Sequence, residues 1–153
     1  MRKNLKARIA LLLGILMLLP MLYACGGKTA SDEAGESKKL KVALVLPGKK
    51  DDVSFNQAMY EGVSAYAAAH TDTVDLKIVE NVYEVADIEP ALSDFADQGY
   101  DVIFGHGFQF MEPLVNVADK FPESYFLLGT GYMFRKNSAI YDVALESGGY
   151  LMG

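Results

Sequence analysis

Two short polar segments contain the residue types that could do chemistry. They are D-D-V-S-F-N-Q at residues 51–57 and G-H-G at residues 105–107. Asn56 carries a donor and an acceptor, Asp52 carries acceptors, and Phe55 has an aromatic face that could stack on a flat ring. The alternative is a hydrolytic triad of Ser54, His106 and an aspartate. The chain has no G-x-S-x-G nucleophile motif, and Ser54 is expected to cap a helix. We therefore predict binding and no catalytic group.

Each candidate also has a structural interpretation. Phe55 could begin an apolar stripe with Met59, Val63 and Tyr66 in a helix core. Asn56 could bond backbone at the helix start, and the Asp52 carboxylate could simply be solvated near that helix end. The glycines on either side of His106 permit close backbone approach. The predicted ligand-binding set is Asp52, Ser54, Phe55, Asn56, Gly105, His106 and Gly107.

Composition excludes several classes of protein. The 153 residues are 51% hydrophobic and 22% charged, which is typical of a folded domain. One cysteine allows no intrachain disulfide and no cysteine zinc cluster, and two histidines are few for a metal site. The formal charge is −6, and every acidic residue follows residue 31. An acidic body repels phosphate, so we expect no nucleic-acid partner, and we expect no metal and no cofactor.

The N-terminus has the features of an export signal. Residues 1–8 are basic and residues 9–23 are apolar, so residues 1–24 are predicted to be a signal peptide. The sequence L-Y-A-C-G at residues 22–26 resembles the bacterial lipobox, which implies cleavage before Cys25 and lipidation of its thiol. Residues 25–39 are small and polar, as in a flexible tether. We predict a lipid-anchored protein on the extracytoplasmic side of the cell membrane; the alternative is an uncleaved anchor with an incidental cysteine.

Apolar periodicity predicts alternating strands and helices after residue 40. The expected order is strand 40–46, helix 54–70, strand 74–80, helix 87–98, strand 101–104, helix 108–120, strand 124–128 and strand 139–145. Ser54 and Gln57 are expected to form a capping box, and Pro90 to lie in the first turn of its helix, which Gly99 ends. This alternation predicts an α/β fold with a doubly wound parallel sheet in the order 2-1-3-4-5.

The predicted topology brings the two polar segments together. In a sheet of this order, ligands bind beyond the carboxyl ends of strands 1 and 3. The loops at those ends are residues 47–56 and 105–108, and both lead into helix N-termini, which offer unpaired N–H groups. The site is therefore expected at this edge of the sheet.

Four segments resemble the basic membrane protein family. They are D-D-V-S-F-N-Q (51–57), V-I-F-G-H-G (102–107), V-A-D-K-F-P-E (117–123) and E-S-G-G-Y-L-M-G (146–153). The resemblance covers residues 40–153. It implies a type I periplasmic-binding fold of two lobes, of which residues 40–146 would be the first. Residues 147–153 would be the hinge and the start of a missing second lobe.

The resemblance also implies a function. The family consists of substrate-binding lipoproteins of ABC importers, of the purine nucleoside receptor type. It implies that Phe55 stacks on a purine, that the partners are an ABC permease and ATPase, and that the protein is no enzyme. The loop P-G-K-K at residues 47–50 departs from the family's commoner Gly- and Asp-rich loop. The resemblance therefore does not fix the identity of the ligand. A surface sensory or regulatory lipoprotein of the same fold is the alternative.

Overall fold

A five-stranded, entirely parallel sheet lies at the centre of the structure. The computed structural model describes residues 38–142. Along the chain the elements are β1 (Leu40–Val45), α1 (Phe55–Ala69), β2 (Val74–Val79), α2 (Val85–Asp97), β3 (Val102–His106), a short 3-10 helix (Phe108–Phe110), α3 (Met111–Lys120), β4 (Tyr125–Gly129) and β5 (Ser138–Tyr141). The strand order is β2-β1-β3-β4-β5. The predicted doubly wound α/β fold is confirmed. None of the described helices is long and apolar enough to cross a membrane.

Strand β1 occupies the switch point of the sheet. It pairs with β2 on one side, where Leu40 lies opposite Val74, and with β3 on the other, where Val45 lies opposite Gly105. The chain leaves β1 toward β2 through α1 and returns to β3 through α2. Because such crossovers are right-handed, these two helices cover opposite faces. The carboxyl ends of β1 and β3 are therefore adjacent, which is the position where ligands bind in doubly wound sheets.

The main core lies between the sheet and the helices α2 and α3. Side chains alternate along a strand, so every second residue of β1, β3 and β4 points to this face. Each fully buried leucine, isoleucine or phenylalanine contributes about 1.5–3 kcal/mol. The buried cluster comprises Ala43, Val45, Val82, Ile88, Leu92, Phe95, Ala96, Ile103, Phe110, Met111, Leu114, Val117, Ala118, Phe126 and Leu128.

Helix α1 covers the opposite face less completely, and the stripe predicted along it is not a core. Tyr66 is 59% exposed and Phe55 is 40% exposed, whereas Asn56 is the buried residue of this helix. A cleft of about 250 Å³ separates α1 from the sheet. Small residues such as Gly62 and Ala67 line it on the helix side, and Val102 and Phe104 lie among the sheet residues on the other. Val63 and Tyr66 of the predicted stripe also line this cleft, so the helical period was correct, but these side chains do not close the space.

Most element boundaries differ from the sequence prediction by a few residues, and two of these differences change the interpretation of a named residue. Helix α2 begins at Val85, so Pro90 lies inside the helix and not in its first turn. The helix starts two residues earlier than expected and still buries Ile88 and Leu92 completely, and proline removes a single backbone donor. Gly99 follows the C-cap Gln98 with a φ of 71°.

Strand β3 continues through His106, so Gly105 and His106 are strand residues and not loop residues. The pairing of β3 with β4 extends the strand, because His106 lies opposite Gly129. Strand β5 spans Ser138–Tyr141, and its predicted continuation to residue 145 lies partly outside the described residues. The predicted signal peptide (1–24), nearly all of the tether (25–39) and the hinge (147–153) also lie outside them.

Candidate functional site

The Asp52 carboxylate organises the loop between β1 and α1. Its Oδ1 accepts from the backbone N–H groups of Ser54 (2.9 Å) and Gln57 (3.0 Å). Its Oδ2 accepts from the backbone N–H of Asn56 (3.1 Å) and from the Asn56 side-chain amide (2.8 Å). These four bonds fill the acceptor positions of a carboxylate. Asp52 therefore supplies the cap that α1 needs.

The predicted capping box is wrong for the Ser54 side chain, which was expected to accept a hydrogen bond from the first turn of α1. Ser54 is the N-cap residue, but its side chain makes no capping hydrogen bond. Its backbone lies at φ −153° and ψ −128°, and the Asp52 carboxylate already holds the N–H groups of residues 56 and 57. Gln57 does reach back, but its Oε1 accepts from the N–H of Val53 (3.0 Å). Val53 adopts a φ of 58°, which turns the chain sharply into the helix.

The electrostatics of Asp52 follow from these donors. Partial desolvation alone raises the pKa of its carboxyl group. The N–H groups of Gln57, Asn56 and Ser54 and the amide of Asn56 outweigh that effect and lower the pKa to about 2. The side chain is therefore a stable anion at the N-terminus of α1, where a negative charge is favoured. Its charge lies close enough to His106 to oppose in part the lowering of that residue's pKa.

Asn56 is held in one orientation and keeps an unpaired acceptor. The residue is 8% exposed, and its amide nitrogen faces Asp52. Because a carboxylate only accepts, the amide NH₂ must lie on that side, which leaves Oδ1 on the other. Asn56 Oδ1 is buried and has no hydrogen-bond partner in the described part of the chain. A Cβ at Gly48 would lie 2.7 Å from Asn56 Nδ2, so the glycine makes room for this amide.

His106 contacts the first residue of α1 in two ways. Its imidazole stacks on the Phe55 ring, with centroids 3.8 Å apart and planes 18° apart. Its Nε2 lies 3.1 Å from the Phe55 carbonyl oxygen, and its Nδ1 lies 2.8 Å from the Tyr141 hydroxyl oxygen. A carbonyl can only accept, so Nε2 carries the proton and donates. Nδ1 then accepts from the Tyr141 hydroxyl.

Burial keeps this group of side chains neutral. His106 is 4% exposed, and desolvation lowers the pKa of its imidazole, although the hydrogen bond to the Phe55 carbonyl and the charge of Asp52 oppose the change. Burial likewise raises the pKa of the Tyr141 hydroxyl. Both nitrogens of His106 have protein partners, and Ser54 does not bond to it among the described residues. Ser54 therefore has no base beside it in the described part of the chain, and the geometry of a Ser54–His106 triad is not formed.

Gly105 and Gly107, on either side of His106, have different structural roles. Gly105 points to the α3 face, where a Cβ would lie 2.9 Å from Phe110 Cδ1 and 3.1 Å from Leu114 Cδ1. It permits close packing under the site. Gly107 has a φ of 127°, which strongly favours glycine, and its N–H donates to the carbonyl oxygen of Gly129 (3.1 Å). It ends the strand and starts the 3-10 helix.

The structure thus brings Asp52, Ser54, Phe55, Asn56 and His106 to one edge of the sheet, while Gly105 faces the core. Sequence reasoning missed Tyr141, Gly129 and Gly48 at this edge. Tyr141 lies in a predicted strand, and the alternation of side chains along that strand could have predicted the face of the sheet on which the Tyr141 ring lies. No local signal showed that Gly129 and Gly48 leave space for a histidine and an asparagine from other segments.

Comparisons with known proteins agree with this architecture. A purine-binding protein of Brucella abortus is 31% identical over 131 residues, which is 86% of this chain and 36% of the relative. A protein of Pyrococcus horikoshii described as an uncharacterized lipoprotein is 32% identical over 126 residues, which is 80% of this chain and 30% of the relative. The chain therefore spans about a third of the length of these relatives.

Solved structures give the same fold. A solute-binding protein of an ABC transporter system from Conexibacter woesei superimposes with a TM-score of 0.66 and 27% identity, over 73% of this chain and 38% of that one. Residues 39–153 match the model of the family described as ABC transporter substrate-binding protein PnrA-like. The chain belongs to this family, as its sequence motifs predicted.

Proposed function

We propose that this protein binds a purine nucleoside at the carboxyl edge of its sheet and delivers it to an ABC permease. The observation that carries the proposal is the Phe55 ring. One of its faces stacks on His106, and the residue remains 40% exposed. A flat aromatic ligand gains most from such a surface, because stacking needs a π-face and no particular hydrogen-bond pattern.

The polar groups beside Phe55 favour a neutral ligand with a donor. The Asp52 anion disfavours a phosphate group or a carboxylate at this position. The unpaired Asn56 Oδ1 is an acceptor that a ring N–H, an exocyclic amine or a ribose hydroxyl would satisfy after a small movement of the loop. Nucleosides carry such donors. The Brucella relative is described as a purine-binding protein, which supports the same class of ligand.

The proposed place of work is the outer surface of the cell membrane. Lipidation of Cys25 would provide the anchor, and residues 25–39 would provide the tether. A relative described as a lipoprotein supports this location. No catalytic role is proposed, since membership of a solute-binding family and the two protein partners of His106 both favour binding without turnover.

Adenosine titration followed by NMR tests the proposal, because chemical-shift changes report binding even at millimolar dissociation constants. We expect shifts of the Phe55 and His106 ring resonances in the wild type. The variant Phe55→Ala should weaken binding by about 1–3 kcal/mol, the usual scale of a base–aromatic contact. Tyr66→Ala is the matched control, since it removes an exposed aromatic from the same helix.

Two further measurements test whether Phe55 stacks on the base of the ligand or only packs against the protein. Ribose titrated in parallel should give no Phe55 shifts, and equal binding of ribose and adenosine would contradict the stacking argument. The melting temperature of ligand-free Phe55→Ala should remain near that of the wild type. A large loss of melting temperature with unchanged adenosine affinity would assign Phe55 to packing and refute the proposal.

A further inference from the structure

His106, Gly129 and Tyr141 form one row across three neighbouring strands. The register places His106 opposite Gly129 and Gly129 opposite Tyr141. Strands lie about 4.8 Å apart, so the backbones of His106 and Tyr141 are separated by about 10 Å. A Cβ on Gly129 would lie 2.7 Å from Tyr141 Oη and 3.0 Å from His106 Nδ1. The two side chains meet because the position between them has no side chain.

This row is connected to the start of α1. The Tyr141 hydroxyl donates to His106 Nδ1 (2.8 Å), and His106 Nε2 donates to the Phe55 carbonyl (3.1 Å). The rings of Tyr141 and His106 are nearly parallel, with planes 7° apart. The donor at Nδ1 requires a lone pair there, so it favours the tautomer with the proton on Nε2. A hydroxyl on β5 thus fixes the proton that holds the backbone of Phe55.

We propose that Tyr141 and His106 are positioning residues that hold the Phe55 ring in place for a stacked ligand. The inference rests on the proposed function, because Phe55 is the surface that the ligand is proposed to meet. A ring that is already ordered loses little conformational freedom when a ligand binds, so its order contributes directly to affinity. Neither positioning residue needs to touch the ligand.

The experiment compares the wild type with Tyr141→Phe, which removes a single hydroxyl group. Ligand-free protein is examined first by NMR. In the wild type, we expect NOEs between the Phe55 ring and the His106 imidazole, and a long-range ¹H–¹⁵N spectrum of His106 typical of an Nε2–H tautomer with a hydrogen-bonded Nδ1. In Tyr141→Phe, the Nδ1 resonance should move to that of an unbonded nitrogen, and the Phe55–His106 NOEs should weaken.

Two further variants make the test specific. Gly129→Ala keeps the side chains of Tyr141, His106 and Phe55 but places a methyl group between Tyr141 and His106. It should therefore change the spectra as Tyr141→Phe does. Tyr66→Phe is the matched control, because Tyr66 stacks on His70 at 4.1 Å elsewhere on α1 and should leave the Phe55 signals unchanged. Adenosine affinity should fall about three- to tenfold in Tyr141→Phe and stay unchanged in Tyr66→Phe.

The outcomes distinguish this inference from the proposed function. Unchanged His106 ¹⁵N shifts and unchanged Phe55–His106 NOEs in Tyr141→Phe would overturn the positioning role, whatever the affinity for adenosine. Absence of adenosine binding to the wild type would contradict the proposed function, and the ligand-free spectra would still decide whether Tyr141 orders Phe55.

Discussion

Two glycine-to-alanine substitutions should change stability in opposite directions. At Gly105 a new methyl group would lie 2.9 Å from Phe110 Cδ1 and 3.1 Å from Leu114 Cδ1, and both of these side chains are fully buried. Overpacking of this kind costs about 1–3 kcal/mol. At Gly62, in the middle of α1, the methyl group would meet nothing within 4 Å. Alanine is the better helix former, so Gly62→Ala should stabilise by about 0.5–1 kcal/mol.

Urea denaturation followed by far-UV circular dichroism measures both effects. The midpoint should fall for Gly105→Ala and rise for Gly62→Ala, with little change in the slope of the transition. Thermal midpoints should move in the same directions, by about 4–8 °C for each kcal/mol in a domain of this size. The pair is matched because the chemical change is identical and only the surroundings differ.

The Gly105 variant also tests what that glycine does. Because Gly105 faces α3, Gly105→Ala should leave the adenosine affinity of the folded protein close to that of the wild type. A neutral or stabilising effect on unfolding would show that Phe110 and Leu114 move aside freely, and the crowding argument would then be wrong. A stable variant that no longer binds adenosine would assign Gly105 to the ligand site.

Two further predictions concern charge and anchoring. The pKa of Asp52 is lowered from 3.8 to about 2 in the folded state. The stabilising effect of its carboxylate should therefore be present above pH 3.8 and be lost as the pH falls through about 2. Thermal melts between pH 2 and 5 should show a weaker pH dependence for Asp52→Asn than for the wild type, and identical profiles would contradict the capping role. Cys25→Ala should leave the protein unlipidated and move it from the membrane fraction to the soluble fraction, as judged by fractionation and intact mass; unchanged membrane retention without cleavage would refute the anchor.

Local sequence patterns were sufficient for the order of the elements and for the convergence of the two polar segments. Apolar strands such as Leu40–Val45 and the period of the helices depend on neighbours a few residues apart. Alternation of strands and helices, together with right-handed crossovers, leaves few sheet orders, and the observed order is the predicted one. The chain segments at the carboxyl ends of β1 and β3 therefore had to converge, and Phe55 at the start of α1 stacks on His106, the last residue of β3.

The roles of individual residues at that edge depended on tertiary structure. Asp52 and not Ser54 caps α1, because the turn at Val53 aims the carboxylate at the helix N–H groups. Gly129 has its effect only through the strand register, which sets it between His106 and Tyr141. Strand register pairs residues that are far apart in the chain. No local sequence pattern shows which side chains will lie on either side of a glycine that has none. The sequence by itself determined which two polar segments meet at one edge of the sheet, and only the packing of β3, β4 and β5 decided which side chains contact the Phe55 ring there.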